Sequence, residues 1–167
     1  MRQIVRSLLM MILGLLTLGA TAEAAVVTID VDPGTPGIQG KIKVQLGATV
    51  TLDVVVDAVT DLNAFEFNLG YKSANLNATT ITSGMFLSAG SPIGVDLGPP
   101  LLKYGEFQLS AMGSSGTDVV LASITFTAVR KGNSKLALPV VRLSAPHGVS
   151  ILNGGGIGGS IQVVSKK

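Results

Sequence analysis

The sequence contains no cysteine and a single histidine in 167 residues. Without thiols the chain has no disulfide, no thiolate metal ligand and no cysteine nucleophile. One histidine excludes sites that need two imidazoles, and no serine lies in a G-x-S-x-G elbow. These absences remove most of the familiar catalytic machinery. They favour a non-catalytic binding or structural module, for which we predict no catalytic residue, no metal site and no cofactor.

Charge and aromatic residues are also scarce. Charged residues make up only 13% of the chain and the net charge is +2, which is too small an excess to indicate nucleic acid as the partner. Sugar-binding faces generally present aromatic platforms, but tryptophan is absent and only Phe86, Tyr71 and Tyr104 are predicted near the surface. A stacking platform is therefore poorly supported, whereas loops that bind a polysaccharide by hydrogen bonds stay open as an alternative.

The N-terminus has the features of a secretory signal. Arg2 and Arg6 precede an apolar run over residues 8–20, and Ala22-x-Ala24 offers a small-residue cleavage site. The run is shorter than the roughly 20 residues that a membrane span needs, although an uncleaved anchor is the alternative. We therefore predict a signal peptide over residues 1–24 and one domain over residues 25–167. The mature protein would be extracellular or periplasmic, without membrane attachment.

Alternation of apolar and polar residues with a period of two dominates the rest of the chain. In one clear case, Phe65, Phe67 and Leu69 alternate with polar or small residues, as in a half-buried antiparallel strand. Turns rich in glycine and proline separate about nine such strands, which are 26–31, 41–46, 49–57, 63–71, 78–82, 105–112, 118–130, 135–144 and 158–164. Residues 84–103 are predicted mostly as loop, with a short strand at Leu101–Tyr104 as an alternative. The pattern predicts an all-β sandwich or jelly roll.

Three features that can suggest chemistry have simpler interpretations. Residues 154–159 (GGGIGG) satisfy G-x-G-x-x-G, but they lie between two predicted strands instead of before a helix, which favours a flexible hairpin. His147 lies in a Pro/Gly turn and is expected at the surface. The loop-edge carboxylates are turn-forming residues more often than calcium ligands; they are Asp30, Asp32, Asp57 and Asp61.

The strand pattern as a whole resembles that of cohesin modules. The resemblance rests on residues 47–54 (GATVTLDV), 64–71 (AFEFNLGY), 105–111 (GEFQLSA), 120–129 (VLASITFTAV) and 159–164 (GSIQVV). It extends over residues 26–165. It implies a nine-stranded jelly-roll sandwich that binds dockerin modules through one sheet face, in secreted polysaccharide-degrading assemblies. Dockerins carry calcium-loaded helix pairs, so calcium would enter through the partner.

The resemblance also points to candidate contact residues. Cohesins of the best-known type direct an Asn and an Asp of the third strand toward the dockerin, and the matching positions here are Ala64 and Glu66. Alternation directs Glu66 and Asn68 of that strand outward. On the predicted strand 105–112 it directs Phe107, Leu109 and Ala111 inward. The candidates are therefore Glu66, Asn68, Gln108 and Ser110. The alternative is an ordinary solvated sheet face, since antiparallel sheets usually leave one side wet. A carbohydrate-binding module of similar fold and a structural extracellular domain are the other functional alternatives.

Overall fold

The structure, a computed structural model, describes residues 24–87 and 90–166. The predicted signal peptide lies outside the described residues except for Ala24. Within these residues, the regular structure consists of ten strands and one 3₁₀ turn, Pro146–Gly148. The strands are β1 Val27–Asp30, β2 Lys41–Gln45, β3 Thr49–Leu62, β4 Ala64–Gly70, β5 Leu76–Ser83, β6 Ser91–Asp96, β7 Leu101–Phe107, β8 Ser114–Ala128, β9 Gly132–Ser144 and β10 Ser150–Val164.

The strands form two sheets that β10 joins. The hydrogen-bonded order is β5-β8-β3-β1-β10-β9-β4-β7-β6, and β2 also pairs with β10. We call β5, β8, β3 and β1 the back sheet, and β6, β7, β4, β9, β10 and β2 the front sheet. Along the described chain, every connection between consecutive strands changes sheet except β6 to β7 and β9 to β10. This alternation is that of a jelly-roll sandwich, so the predicted all-β fold class is confirmed.

Apolar side chains from both sheets meet in one core between them. On β4, Phe65, Phe67 and Leu69 are buried and the residues between them are half-buried, as the alternation predicted. The ring of Tyr71, just after β4, lies 5.1 Å from the ring of Phe126 on β8 in the back sheet. The inner face of the front sheet is thus fixed against the back sheet, and its outer face is left for other contacts.

Two predictions within residues 84–112 are wrong. The predicted strand 105–112 is β7, Leu101–Phe107, and its inward residues are Leu102, Tyr104 and Glu106 instead of Phe107, Leu109 and Ala111. Leu109 lies beyond the strand and is 92% exposed. The structure also adds β6 within the segment that was predicted mostly as loop. The described part of the chain therefore contains ten strands where about nine were predicted.

The glycine-rich run lies inside β10 and is not a hairpin loop. Ile157 pairs with Thr28 of β1, whereas Ser160 pairs with Lys41 of β2. Within the run, one neighbour of β10 thus changes from β1 of the back sheet to β2 of the front sheet, while β9 stays paired along its other edge. A Cβ on Gly158 would overlap the backbone carbonyl of Leu136 on β9. Glycine is needed there for close strand approach, which has nothing to do with a phosphate.

Candidate functional site

The outer face of β4 is flat and polar. Its four residues are Ala64, Glu66, Asn68 and Gly70, so small side chains at both ends flank two polar ones in the middle. The neighbouring strands are β7 on one side and β9 on the other, both antiparallel. The predicted candidates Glu66 and Asn68 therefore lie at the centre of the front sheet. A surface of this shape lets a partner approach the backbone closely around a few hydrogen-bonding groups.

Glu66 forms a salt bridge with Arg142, which is directly opposite on β9. An Arg142 Nη1 hydrogen donates to the Glu66 Oε1 atom. The side chain of Glu66 is 46% exposed and that of Arg142 is 58% exposed, so the pair contributes only about 0–1 kcal/mol to the free energy of folding. Because water already solvates both groups in part, their main consequence is a defined arrangement of charge on the outer face.

The neighbours of this pair keep the face flat and add charge. Gly105 is opposite Glu66 on β7, and a Cβ there would approach the Phe65 carbonyl oxygen to 2.9 Å. In the next row, Asn68 is between the exposed Lys103 of β7 and the half-buried Val140 of β9. Asp96 of β6 is exposed and opposite Lys103, so Arg142 and Lys103 are balanced by the carboxylates of Glu66 and Asp96, and the face favours a partner with groups of both charges.

Gln108 is not on this face, and its predicted outward orientation is wrong. It follows β7, is only 6% exposed and packs beneath the end of the sheet. Its Nε2 atom lies 3.4 Å from the Leu62 carbonyl oxygen, 3.3 Å from the Met112 carbonyl oxygen and 3.4 Å from the Ser114 Oγ atom. These contacts use the amide inside the protein, so it holds the loop after β7 to the end of β3.

Ser110 is exposed, but it belongs to the loop after β7 and not to the strand. Its hydroxyl oxygen accepts a hydrogen bond from the Met112 backbone N–H at 3.3 Å, and its carbonyl oxygen accepts one from the Asn63 side chain at 3.3 Å. Ser110 is therefore a turn residue at the edge of the front sheet, apart from Glu66 and Asn68. Whether any of the four candidates contacts a partner stays a prediction.

Arg142 and Lys103 are the residues of this face that the sequence reasoning missed. The signal for Arg142 was present, because Val141 and Leu143 alternate with it within the predicted strand 135–144. Leu136 and Leu138 are also buried, although they are an odd number of residues from Val141. The change follows from register shifts in β9, between Leu138 and Val141 against β10 and between residues 137 and 140 against β4. Lys103 was missed because the short strand considered at Leu101–Tyr104 was not joined to the predicted strand 105–112, whereas the structure has one strand over Leu101–Phe107.

None of the seven aromatic side chains, all of which lie in the described part of the chain, forms an exposed platform. Tyr71 and Tyr104, which the sequence placed near the surface, are buried. Phe86 and Phe107 are half-buried, and the other three phenylalanines belong to the core. A sugar ring would therefore find no flat aromatic surface to stack on.

No metal centre is found among residues 24–87 and 90–166. No group of three or more His, Asp or Glu side chains comes together there. The carboxylate of Asp30 instead accepts hydrogen bonds from the Asp32 and Gln39 backbone N–H groups, both at 3.0 Å, and so shapes the turn after β1. His147 is exposed in the 3₁₀ turn. Within the same residues, no helix is long and apolar enough to cross a membrane.

Comparison with known proteins shows the fold. No protein-family model matches the chain, and no curated protein sequence matches it. Among solved structures, the cohesin module of a family 33 glycoside hydrolase from Clostridium perfringens is similar with a TM-score of 0.64 and 15% identity, over 86% of this chain and 98% of that one. A non-cellulosomal cohesin from the archaeon Archaeoglobus fulgidus has the same TM-score and 16% identity, over 84% and 92% of the two chains.

A third similar structure is the sixth cohesin of scaffoldin B from Acetivibrio cellulolyticus, solved in complex with a Cel5 dockerin mutant. Its TM-score is 0.64 at 12% identity, over 85% of this chain and 100% of that chain. The structural similarity thus extends over almost the whole length of each of these cohesins. The protein has the cohesin fold, as the strand pattern in its sequence predicted.

Proposed function

We propose that the protein is an exported, non-catalytic binding module that holds a dockerin-type protein on the outer face of its front sheet. The observation that carries the proposal is the flat polar face of β4, centred on Glu66 and Asn68, within a cohesin fold. Several similar solved structures are cohesins in complex with dockerins, which supports this class of partner. The buried aromatics favour a protein partner over a polysaccharide.

The contact would be centred on Glu66, Asn68 and Arg142, with Lys103 beside them. Small residues on both sides leave the backbone of β4 accessible, and the exposed charges can be desolvated on binding without unfolding any strand. Charged groups at an interface mainly select the partner and its orientation. Acidic groups on the partner would therefore approach Arg142 and Lys103, whereas donors would approach Glu66 and Asp96.

Calcium would enter through the partner. The described residues gather no set of carboxylates that could bind it, whereas a dockerin-type partner needs calcium to fold its helix pair. Binding is thus expected to disappear when calcium is chelated, although this protein keeps its own fold. A circular dichroism spectrum of the protein alone, with and without chelator, separates these two effects.

Export would remove residues 1–24 and leave Ala25 as the first residue. Mass spectrometry of the protein recovered from the medium or periplasm tests this prediction directly. A mass that matches the chain from Ala25 supports export with cleavage, whereas full-length protein retained in the membrane fraction supports the uncleaved anchor.

The partner is tested by immobilising the exported protein and passing over it the secreted proteins of its native host, with and without calcium. The expected result is calcium-dependent retention of a protein with duplicated calcium-loop motifs. Arg142→Glu reverses one charge at the centre of the face and should weaken that retention at least tenfold. Thr51→Ala, on the outer face of the back sheet, is the matched control and should bind like the wild type.

Three outcomes would count against the proposal. One is retention that Arg142→Glu and Thr51→Ala affect equally, because binding would then not involve the front sheet. Another is depletion of the protein by insoluble polysaccharide with no protein partner, which would favour the carbohydrate-binding alternative. A third is the absence of both kinds of binding, which would leave a structural domain that shares only the fold.

A further inference from the structure

A slot between the two sheets lies away from the front face. It opens between β5, at the edge of the back sheet, and β6, at the edge of the front sheet, and its volume is about 340 Å³. Its walls are mostly apolar and include Ile81, Met85, Pro92 and Val95. Ser83, Tyr104 and Glu106 add polar groups to this lining. An apolar slot with a few convergent polar groups is the usual form of a small-ligand site.

Glu106 is the unusual member of this lining. It is only 3% exposed and points inward from β7, opposite Phe65 of β4. The Ser83 Oγ atom lies 3.0 Å from each of its carboxylate oxygens. That hydroxyl has one proton to donate, and its own oxygen accepts a hydrogen bond from the Met85 backbone N–H at 2.9 Å. Ser83 is thereby held in place facing the carboxylate.

No cation of the described residues pairs with Glu106. The salt bridge found among them joins Arg142 to Glu66 on the opposite face of the sheet. A carboxylate has about four acceptor positions, and a buried charge is costly unless a counter-charge and further hydrogen bonds compensate it. One serine proton and the neighbouring Tyr104 hydroxyl do not supply a counter-charge. The slot therefore presents the buried carboxylate of Glu106 as a hydrogen-bond acceptor to a ligand that binds there.

The chemistry of the slot selects the kind of cation. A calcium or magnesium ion needs six or more oxygen ligands, and only one carboxylate lines this slot. A primary ammonium has three donors, which match the carboxylate and the oxygens of Ser83 and Tyr104. Its alkyl chain would pack against apolar walls that a hydrated metal ion could not use. We propose that the slot binds a primary alkylammonium group, with the ammonium on Glu106 and the alkyl chain between β5 and β6.

Titration of the isotope-labelled full chain with n-pentylamine at neutral pH, followed by NMR, tests the proposal. The expected result is a saturable shift of the amide signals of Ser83, Met85 and Gly90. The uncharged isostere 1-pentanol should bind at least about tenfold more weakly, since a charge-assisted hydrogen bond is lost. A flat response to pentylamine, or equal binding of pentanol, would overturn the proposal.

Two variants locate the ammonium. Glu106→Gln keeps the shape of the side chain and removes its charge, and we expect at least tenfold weaker binding of pentylamine. Glu66→Gln is the matched control on the outer face and should leave pentylamine binding unchanged. Amide spectra of both variants first establish that each is folded. Unchanged affinity in folded Glu106→Gln would rule out the assignment.

The source of the ammonium is distinguished by two further probes. Nα-acetyl-lysine methylamide presents the group as a protein side chain would, and cadaverine presents it as a free diamine. Tighter binding of the lysine derivative indicates a protein as the source, and tighter binding of cadaverine indicates a free amine; both support the site. Since Glu66 and Arg142 are not part of the slot, loss of dockerin-type binding and loss of amine binding can be told apart.

Discussion

The two faces of the front sheet place a glutamate in opposite environments. Glu66 and Glu106 are on adjacent strands, with Gly105 opposite Glu66 and Phe65 opposite Glu106. Glu66 points outward, is about half exposed and pairs with Arg142. Glu106 points inward, is almost fully buried and has only hydroxyl partners among the described residues. Successive residues of a strand point to opposite faces of the sheet. A difference of one residue in position therefore decides whether a glutamate forms a solvated ion pair or a buried charge.

This difference implies that residues on the outer face of the front sheet determine partner binding, whereas residues on its inner face determine stability. Substitutions on the outer face should alter partner binding and leave the fold intact, because water solvates the exposed groups that lose a partner. Changes on the inner face should alter stability, because packing and buried hydrogen bonds have no such substitute. The following variants test this division, and the largest effect is expected on the inner face.

Phe67→Ala and Asn68→Ala compare the two faces at adjacent positions of β4. Phe67 is 1% exposed and its ring lies 6.4 Å from that of Phe65 and 6.0 Å from that of Tyr104. Its truncation should lower the free energy of unfolding by about 3–5 kcal/mol, whereas Asn68→Ala should change it by less than about 0.5 kcal/mol. Urea denaturation followed by circular dichroism measures both. A loss at Asn68 that approached the loss at Phe67 would contradict the division between the faces.

Gly105→Ala and Gly70→Ala test whether the outer face must be flat. A Cβ at Gly105 would lie 2.9 Å from the Phe65 carbonyl oxygen and 3.1 Å from the Cβ of Glu66, so the backbone or Glu66 has to move. The expected cost is about 1–3 kcal/mol. At Gly70 the nearest atoms are 3.8 Å and 3.9 Å away, which is ordinary contact. Gly70→Ala should therefore cost less than about 0.5 kcal/mol in the same denaturation experiment. Equal costs would show that close approach at Gly105 is not what requires glycine.

The alternation of apolar residues was enough to predict β4 and both of its faces. Phe65, Phe67 and Leu69 are apolar, so burial and pattern agree, and Glu66 and Asn68 follow as outward residues. The same rule failed for β7, whose inner face continues from Leu102 and Tyr104 into Glu106 and then Gln108. Glu106 accepts a hydrogen bond from Ser83, and Gln108 donates one to the Leu62 carbonyl oxygen, so both polar side chains have partners inside the protein. Such partners come from distant parts of the chain, so no local pattern in the sequence reveals them.

Alkaline pH should destabilise the protein through the tyrosines of the core. Burial raises the pKa of the Tyr104 hydroxyl above its ordinary value, and the negative charge of Glu106 raises it further. Burial also raises the pKa of Tyr71. The neutral phenol is thus favoured in the folded state, and its contribution is complete below the unfolded pKa of about 10. As the pH rises above that value, the unfolded chain loses its phenol protons first and the free energy of unfolding falls.

Denaturation curves between pH 7 and pH 11 measure this effect, with Tyr104→Phe as the comparison. The variant cannot ionise at this position, so its stability should decline less steeply above pH 10 than that of the wild type. Between pH 7 and pH 9 the difference between the two proteins should be constant. Parallel declines over the whole range would show that Tyr104 does not contribute to the alkaline transition.

The Glu66–Arg142 pair should have the smallest effect on folding and the largest on binding. A double-mutant cycle with Glu66→Gln, Arg142→Gln and the double variant should give a coupling energy of about 0.2–1 kcal/mol, which added salt reduces because both side chains are exposed. The same single variants should weaken the proposed partner interaction severalfold or more. A coupling energy of several kcal/mol would mean that the pair holds β4 to β9, and Glu66 would then belong with the stabilising residues of the inner face. A small coupling energy together with a large loss of binding would assign the outer face to recognition.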